Sequence, residues 1–169
     1  MSYRNKTYVA FASEDIKSYR LMEAWRENKN IDFSFYDAHD LFIARDTSTP
    51  ATIKHNLRER MKNAKQVVLL GSPDAKKKGG DGVSFLAYEI QIAIELKLPI
   101  VVAHLDGSRK GNSANYPKPL TAESYHTMSV SFQVAIIKYA LDHYSATFTG
   151  SDGTGERIYK ESVYAELGL

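Results

Sequence analysis

Glu89 stands four residues after Phe85 in the stretch "SFLAYEIQIAIELKLPIVV", residues 84–102, where an apolar helix runs into an apolar strand. With Ser84 as N-cap, Glu89 falls in the second helical turn, so an aromatic ring and a carboxylate share one face near the helix N-terminus. An acid in such a place can hold a proton or accept hydrogen bonds from a ligand. The competing reading is an ordinary acid favoured by the helix dipole and pointing to water, as expected of Glu95 further along.

The remaining chemistry-bearing residues point to less. His39 lies in "DAHD" with Asp37 and Asp40, but no second histidine stands at helical metal spacing and the chain has no cysteine. No metal site is therefore expected. Ser13, Ser72 and Ser84 lack the strand–turn–helix GxSxG setting of a nucleophilic serine. The glycines of "KKKGGDG" could form an anion nest beside three lysines, yet turn chemistry reads them as a solvated loop. After the first strand the sequence "ASEDIKSY" holds neither a Walker nor a flavin-phosphate loop. Gly71 and Ser72 occupy the end of the third predicted strand, where a phospho-acceptor receiver needs an aspartate.

The elements that must position these residues alternate, which is the mark of strand–helix–strand units and a parallel sheet. Strands are expected at "TYVAFA", "IDFSFYDA", "KQVVLLGS", "PIVVAHLDG" and "YHTMSVS". The second alternates at Ile31, Phe33 and Phe35, as a half-covered strand near an edge does; the third and fourth are apolar throughout and read as central. Helices are expected at "EDIKSYRLMEAWREN", with Ser13 as N-cap and Ile16, Tyr19, Leu21, Met22 and Trp25 at helical spacing, and at "ATIKHNLRERMKNA", capped by Thr49 with Pro50 in its first turn. Further helices are expected after Ser84 and at "FQVAIIKYALDHY", where Val134, Ile137 and Leu141 share a side. "HDLFIARDTSTP" is long for a strand-to-helix connection, "PDAKKKGGDGV" reads as a polar connection and "GSRKGNSANYPKPLTAES" as a loop. The expected organisation is one domain over residues 1–143 and, over 144–169, a flexible segment with a short C-terminal helix.

At 169 residues, 43% apolar and 25% charged, the chain has the composition of a single domain with a real core. A net charge of +2 gives no argument for a nucleic-acid or membrane partner. Absence of cysteine is compatible with a reducing cytosol, and the sequence shows neither a signal peptide nor a membrane span, so a cytoplasmic protein is expected. In such α/β domains ligands bind outside the carboxyl ends of the strands.

Three stretches, "YVAFASED", "RDTSTP" and "SFLAYEI", resemble in that order the sequence boxes of TIR domains, over roughly residues 7 to 143. More narrowly, the chain is similar to the stand-alone TIR-like proteins of bacterial antiphage systems such as Thoeris. The resemblance implies a flavodoxin-like α/β domain, with a five-stranded, mostly parallel sheet and helices on both faces. It also implies an enzyme that cleaves the nicotinamide–ribose bond of NAD and yields ADP-ribose or a cyclic ADP-ribose-type signal. Glu89 stands where that family carries its catalytic glutamate, and a carboxylate there can stabilise the positive charge that develops on ribose as nicotinamide leaves. Phe85 takes the place of the family's aromatic, commonly tryptophan, and could stack on a base. Phe11, Ala12 and Ser13 are placed against substrate; Arg45, suited to bidentate phosphate recognition, lies near phosphate or a neighbouring protomer; Asp37 completes the candidate substrate-binding set.

On this resemblance NAD is a substrate and no separate cofactor or metal is needed. Self-association is expected, and a downstream effector would sense the nucleotide product rather than touch this chain. Two departures stand out: Pro50 precedes Ala51 where the family has proline followed by glycine, and Leu86 replaces a frequent cysteine. Two alternatives remain open at this point. One is a nucleoside deoxyribosyltransferase-like enzyme with the glutamate as nucleophile, and the other is a non-catalytic TIR adaptor assembling through "HDLFIARDTSTP" and "RIYKESVYAELGL".

Overall fold

The computed structural model describes residues 6–35, 49–80, 84–122, 125–148 and 156–169. Among these, five strands form one all-parallel sheet in the order β1 (Thr7–Ala10), β2 (Gln66–Gly71), β3 (Ile100–His104), β4 (Thr127–Ser131) and β5 (Glu156–Ile158). Seven helices accompany them: α1 (Ile16–Glu27), α2 (Pro50–Met61), α3 (Pro73–Gly80), α4 (Phe85–Glu95), α5 (Lys118–Ala122), α6 (Val134–Thr147) and α7 (Glu161–Glu166).

The two-residue period of the strands divides the core into two layers. Tyr8, Ala10, Val67, Leu69, Ile100 and Val102 face Leu57 and Met61 of α2 and Leu86 and Ile92 of α4. Val9, Val68, Leu70, Val101 and Val130 face Tyr19 and Met22 of α1, Ile137 and Leu141 of α6, and Tyr164 of α7. β2 is buried along its whole length, as its unbroken apolar run requires. α1 and α2 lie on opposite faces of the sheet.

Several expectations hold in detail. Thr49 caps α2 by accepting from Thr52 N, with Pro50 at the first position, and Ser84 caps α4 by accepting from Ala87 N at 3.1 Å. Other findings differ. Ser13 does not cap α1; it opens a 3-10 turn, Ser13–Asp15, after which α1 starts at Ile16. Leu21 points outward, 45% exposed. Residues 31–35 pair with no described strand: Phe33 N donates to Ile31 O, and Phe33 and Phe35 are buried in an aromatic cluster with Trp25 and Tyr19.

The expected polar connection after β2 contains α3, capped by Ser72, whose Oγ accepts from Ala75 N at 3.0 Å. The expected loop after β3 contains a 3-10 turn, Ser113–Asn115, and α5. At the C-terminus the helical spacing read from Arg157 onward divides into β5 and α7. Tyr164 is buried and its Oη accepts from Ser131 N at 3.2 Å. No helix among the described residues is long and apolar enough to cross a membrane.

Candidate functional site

After β2 and α3, α4 returns the chain to β3, so it runs back along the parallel sheet with its N-terminus toward the carboxyl ends of the strands. Phe85 is its first residue, partly exposed and packed on the core layer; Glu89 lies one turn deeper on the same face. That turn takes the carboxyl out of water, and Glu89 is 1% exposed.

Its neighbours come from two other elements. Tyr8, from β1, is buried beneath the same layer, and Arg60, from α2, adds a positive field at Glu89. Tyr8 precedes the strand end at Ala10 by two residues, which is roughly 7 Å along a strand. Glu89 therefore sits below the rim where ligands of such sheets bind, and Phe85 sits nearer that rim.

Burial dominates the electrostatics. It raises the Glu89 carboxyl from the ordinary 4.5 to about 8, against the opposing influence of the Tyr8 hydroxyl and the Arg60 charge. Tyr8 is raised well above the ordinary tyrosine value, first by burial and then by the Glu89 charge. At neutral pH this pair is a carboxylic acid beside a phenol, both holding their protons.

At the ends of β1 and β2, Ser72 Oγ donates to the Asp15 carboxylate, and Lys78 reaches Glu14 at 3.4 Å. These contacts fasten the turn after β1 to α3, Ser72 at its N-terminal cap and Lys78 in its last turn. The Asp15 carboxyl is raised by burial, which outweighs the Ser72 hydrogen bond; Asp74 and Glu14 push in the same direction as burial. At the end of β3, fully buried His104 has Nδ1 3.0 Å from Asn115 Nδ2 and Nε2 3.1 Å from Ser129 Oγ. Since an amide nitrogen only donates, Nδ1 accepts and the ring proton sits on Nε2. Asp106 also accepts from Asn112 and Asn115, so this network anchors the segment after β3. No group of three or more metal-ligating side chains occurs among the described residues.

The sequence-predicted residues are only partly brought together. Glu89 and Phe85 share a face, and Ala12 is buried in the same core layer. Phe11 is on the opposite side of the sheet, stacked on Tyr19 with ring centroids 4.5 Å apart. Ser13 is exposed and donates to Glu14 at 3.3 Å. Asp37 and Arg45 lie outside the described residues, as does His39. Sequence reading missed Tyr8 and Arg60. The alternation of β1 does place Tyr8 on a defined face, but which helix covers that face is a tertiary fact.

An all-parallel sheet between two helical layers, with a helix-borne carboxyl beneath the strand ends, is a flavodoxin-like α/β domain of the TIR-like kind. The sequence profile of the family described as Thoeris protein ThsB, TIR-like domain, matches residues 8–110, more than half of the 169-residue chain, and the chain belongs to that family. No curated protein matches it.

Proposed function

We propose that the chain is a cytoplasmic NAD-consuming enzyme of antiphage defence, in which Glu89 acts on the nicotinamide-bearing ribose. The observation that carries the reading is the position of Glu89: one turn below Phe85 on the helix whose N-terminus meets the ligand edge of the sheet, and buried there. Family membership supports it independently.

In this reading the Phe85 ring, at the rim, offers a stacking face to a base of NAD. The ribose reaches one turn deeper, toward Glu89. The C1′–nitrogen bond breaks, nicotinamide leaves neutral with the bonding electron pair, and positive charge spreads over C1′ and the ring oxygen. Anionic Glu89 accepts hydrogen bonds from ribose hydroxyls and stabilises that charge in a site of low dielectric. Attack by water at C1′ gives ADP-ribose and a proton; attack by a nucleophile within the same molecule gives a cyclic product. NAD is consumed as substrate, and a separate effector responds to the product. Self-association would bring the segment holding Arg45 against a neighbouring copy.

Mass spectrometry of nucleotides tests this in cells expressing the wild type or Glu89→Gln, with and without phage challenge. The expected result is loss of NAD and a new ADP-ribose species only with Glu89 intact. If both proteins give one profile while both still protect against phage, Glu89 is structural and the chain is an adaptor. Deoxynucleosides offered as substrates separate the remaining deoxyribosyltransferase reading.

A further inference from the structure

Glu89 is 1% exposed, so a ligand reaches it only after something moves, and helical spacing shows what covers it. Two residues of α4 mark the side that faces α2: the Tyr88 ring centroid lies 5.1 Å from Lys54 Nζ, and Glu95 pairs with Arg58. Ile90 and Ala93, both fully buried in the apolar layer on the sheet, mark the opposite side. At about 100° per residue, Phe85 and Glu89 project between those two sides, into the slot that α2 closes from outside. Leu57 and Met61 of α2 belong to the same apolar layer as Tyr8 and Leu69 of the sheet, and Phe85, partly exposed, stands at the mouth of the slot.

The walls of this slot differ in what holds them. β1 is paired along its length with β2, from Thr7 opposite Gln66 to Ala10 opposite Leu69. α4 is buried on almost every side, from Leu86 to Ile90 without a break and again at Ile92 and Ala93. α2 turns only Leu57 and Met61 of its twelve residues fully inside, with Ile53 partly buried against the layer. Its polar ties to α4 among the described residues are the Arg58–Glu95 pair, whose side chains are 46% and 55% exposed, and Lys54 over the Tyr88 ring. Exposed ion pairs add little, so two apolar side chains carry most of the hold, and α2 is the wall that opens at least cost.

We infer that α2 is the lid of the site: it lifts from α4 to let ligand reach Glu89, and its return shuts Glu89 away from water. This rests on the reading that Glu89 acts on ribose.

The absence of cysteine makes the test direct. The double variant Arg58→Cys/Glu95→Cys replaces the exposed pair that bridges α2 and α4, and a short bis-methanethiosulfonate then staples the two helices until dithiothreitol releases them. Access is read in the full chain by amide formation at carboxyls with a water-soluble carbodiimide and glycinamide, located by fragment mass spectrometry, with exposed Glu27 as the internal reference. Stapling should slow the labelling of Glu89 at least about tenfold, and dithiothreitol should restore it. Leu57→Ala, which weakens the apolar hold of α2, should speed it at least about tenfold. Hydrogen exchange of the unmodified chain should show α2 opening ahead of β2, which separates lid motion from unfolding of the whole domain.

NAD consumption is followed with and without the staple. If it stops on stapling and returns on release, the lid and the proposed activity stand together. If labelling obeys the staple while no form consumes NAD, α2 still covers Glu89 and it is the enzymatic reading that falls. Glu89 labelled at one rate in every form, or in none, overturns the inference, as does NAD consumption that continues under the staple or an α2 that exchanges no faster than β2. The staple keeps the test decisive if Leu57→Ala fails to fold.

Discussion

Replacing Glu89 by glutamine should make the protein more stable while removing the proposed activity, and the gain should depend on pH. The carboxyl is raised from 4.5 to about 8 by burial. Between those values the unfolded chain releases a proton that the folded chain must keep. Folding then takes up a proton, and stability falls as pH rises from about 4.5 toward 8. At pH 7 the cost is about 3 kcal/mol, at pH 5 it is below about 1 kcal/mol, and above pH 8 it approaches about 5 kcal/mol.

Glutamine keeps the shape and carries no ionisable proton, so it escapes the cost. In a domain of this size about 3 kcal/mol corresponds to a rise in Tm of roughly 6–12 °C at pH 7. Urea unfolding of both proteins at pH 5, 7 and 8.5 measures the difference, and comparing the two chains cancels the titration of every other group. A difference that stays constant across the three pH values, or a variant less stable than the wild type at pH 8.5, would refute the burial argument.

Further outcomes are expected elsewhere. Arg157 Nε donates to His126 Nε2 at 2.7 Å, and His126 Nδ1 lies 3.0 Å from Tyr144 Oη, so the ring is held neutral; burial first, and then the Arg157 charge, lower its pKa from 6.5. The unfolded chain takes up that proton more readily, so the contribution is complete above about pH 6.5 and is lost below it, and amide exchange in β5 should be faster at pH 5.5 than at pH 7.5 after correction for intrinsic rates. At Gly79 an added Cβ would lie 2.3 Å from Pro117 Cβ and 2.9 Å from Pro117 Cα, so Gly79→Ala should cost about 1–3 kcal/mol by urea unfolding. Binding of a carbocyclic NAD analogue that cannot be cleaved should release nearly one proton at pH 7 in the wild type and none in Glu89→Gln, which calorimetry in two buffers of different ionisation enthalpy would read.

How far the sequence predicted these features depends on whether the signal was local. β2 and β3 were plain because a strand covered on both faces is apolar without interruption, and α4 because its cap, period and length agree. Residues 31–35 show why alternation is weaker: Phe33 and Phe35 do go inside, but through contacts with Trp25 and Tyr19 rather than a ladder of backbone bonds. α3 did carry a signal, since Ser72, Pro73 and Asp74 are a cap, a first-turn proline and a first-turn acid; the lysines and glycines after them read as a loop. β5 has three residues and gains its place only by pairing with Thr127–Ser129. Within the site, Phe85 and Glu89 were legible because helical spacing ties them together. Tyr8 was not, because Glu89, beside which it is buried, is 81 positions away along the chain.

The depth of Glu89 bears directly on how such a site could work. A carboxyl that is 1% exposed touches no ribose until part of its cover moves. Moving that cover hydrates the group, and hydration removes the main reason for its raised pKa. In the proposed reaction access and ionisation would therefore be one event: the acid is neutral while the layer between β1 and α4 is closed and would become the carboxylate that the proposed chemistry needs when the layer opens. The cost of burying Glu89, about 3 kcal/mol at pH 7, is also free energy that opening recovers, and set against a typical domain stability of about 5–15 kcal/mol it is large enough to bias that opening.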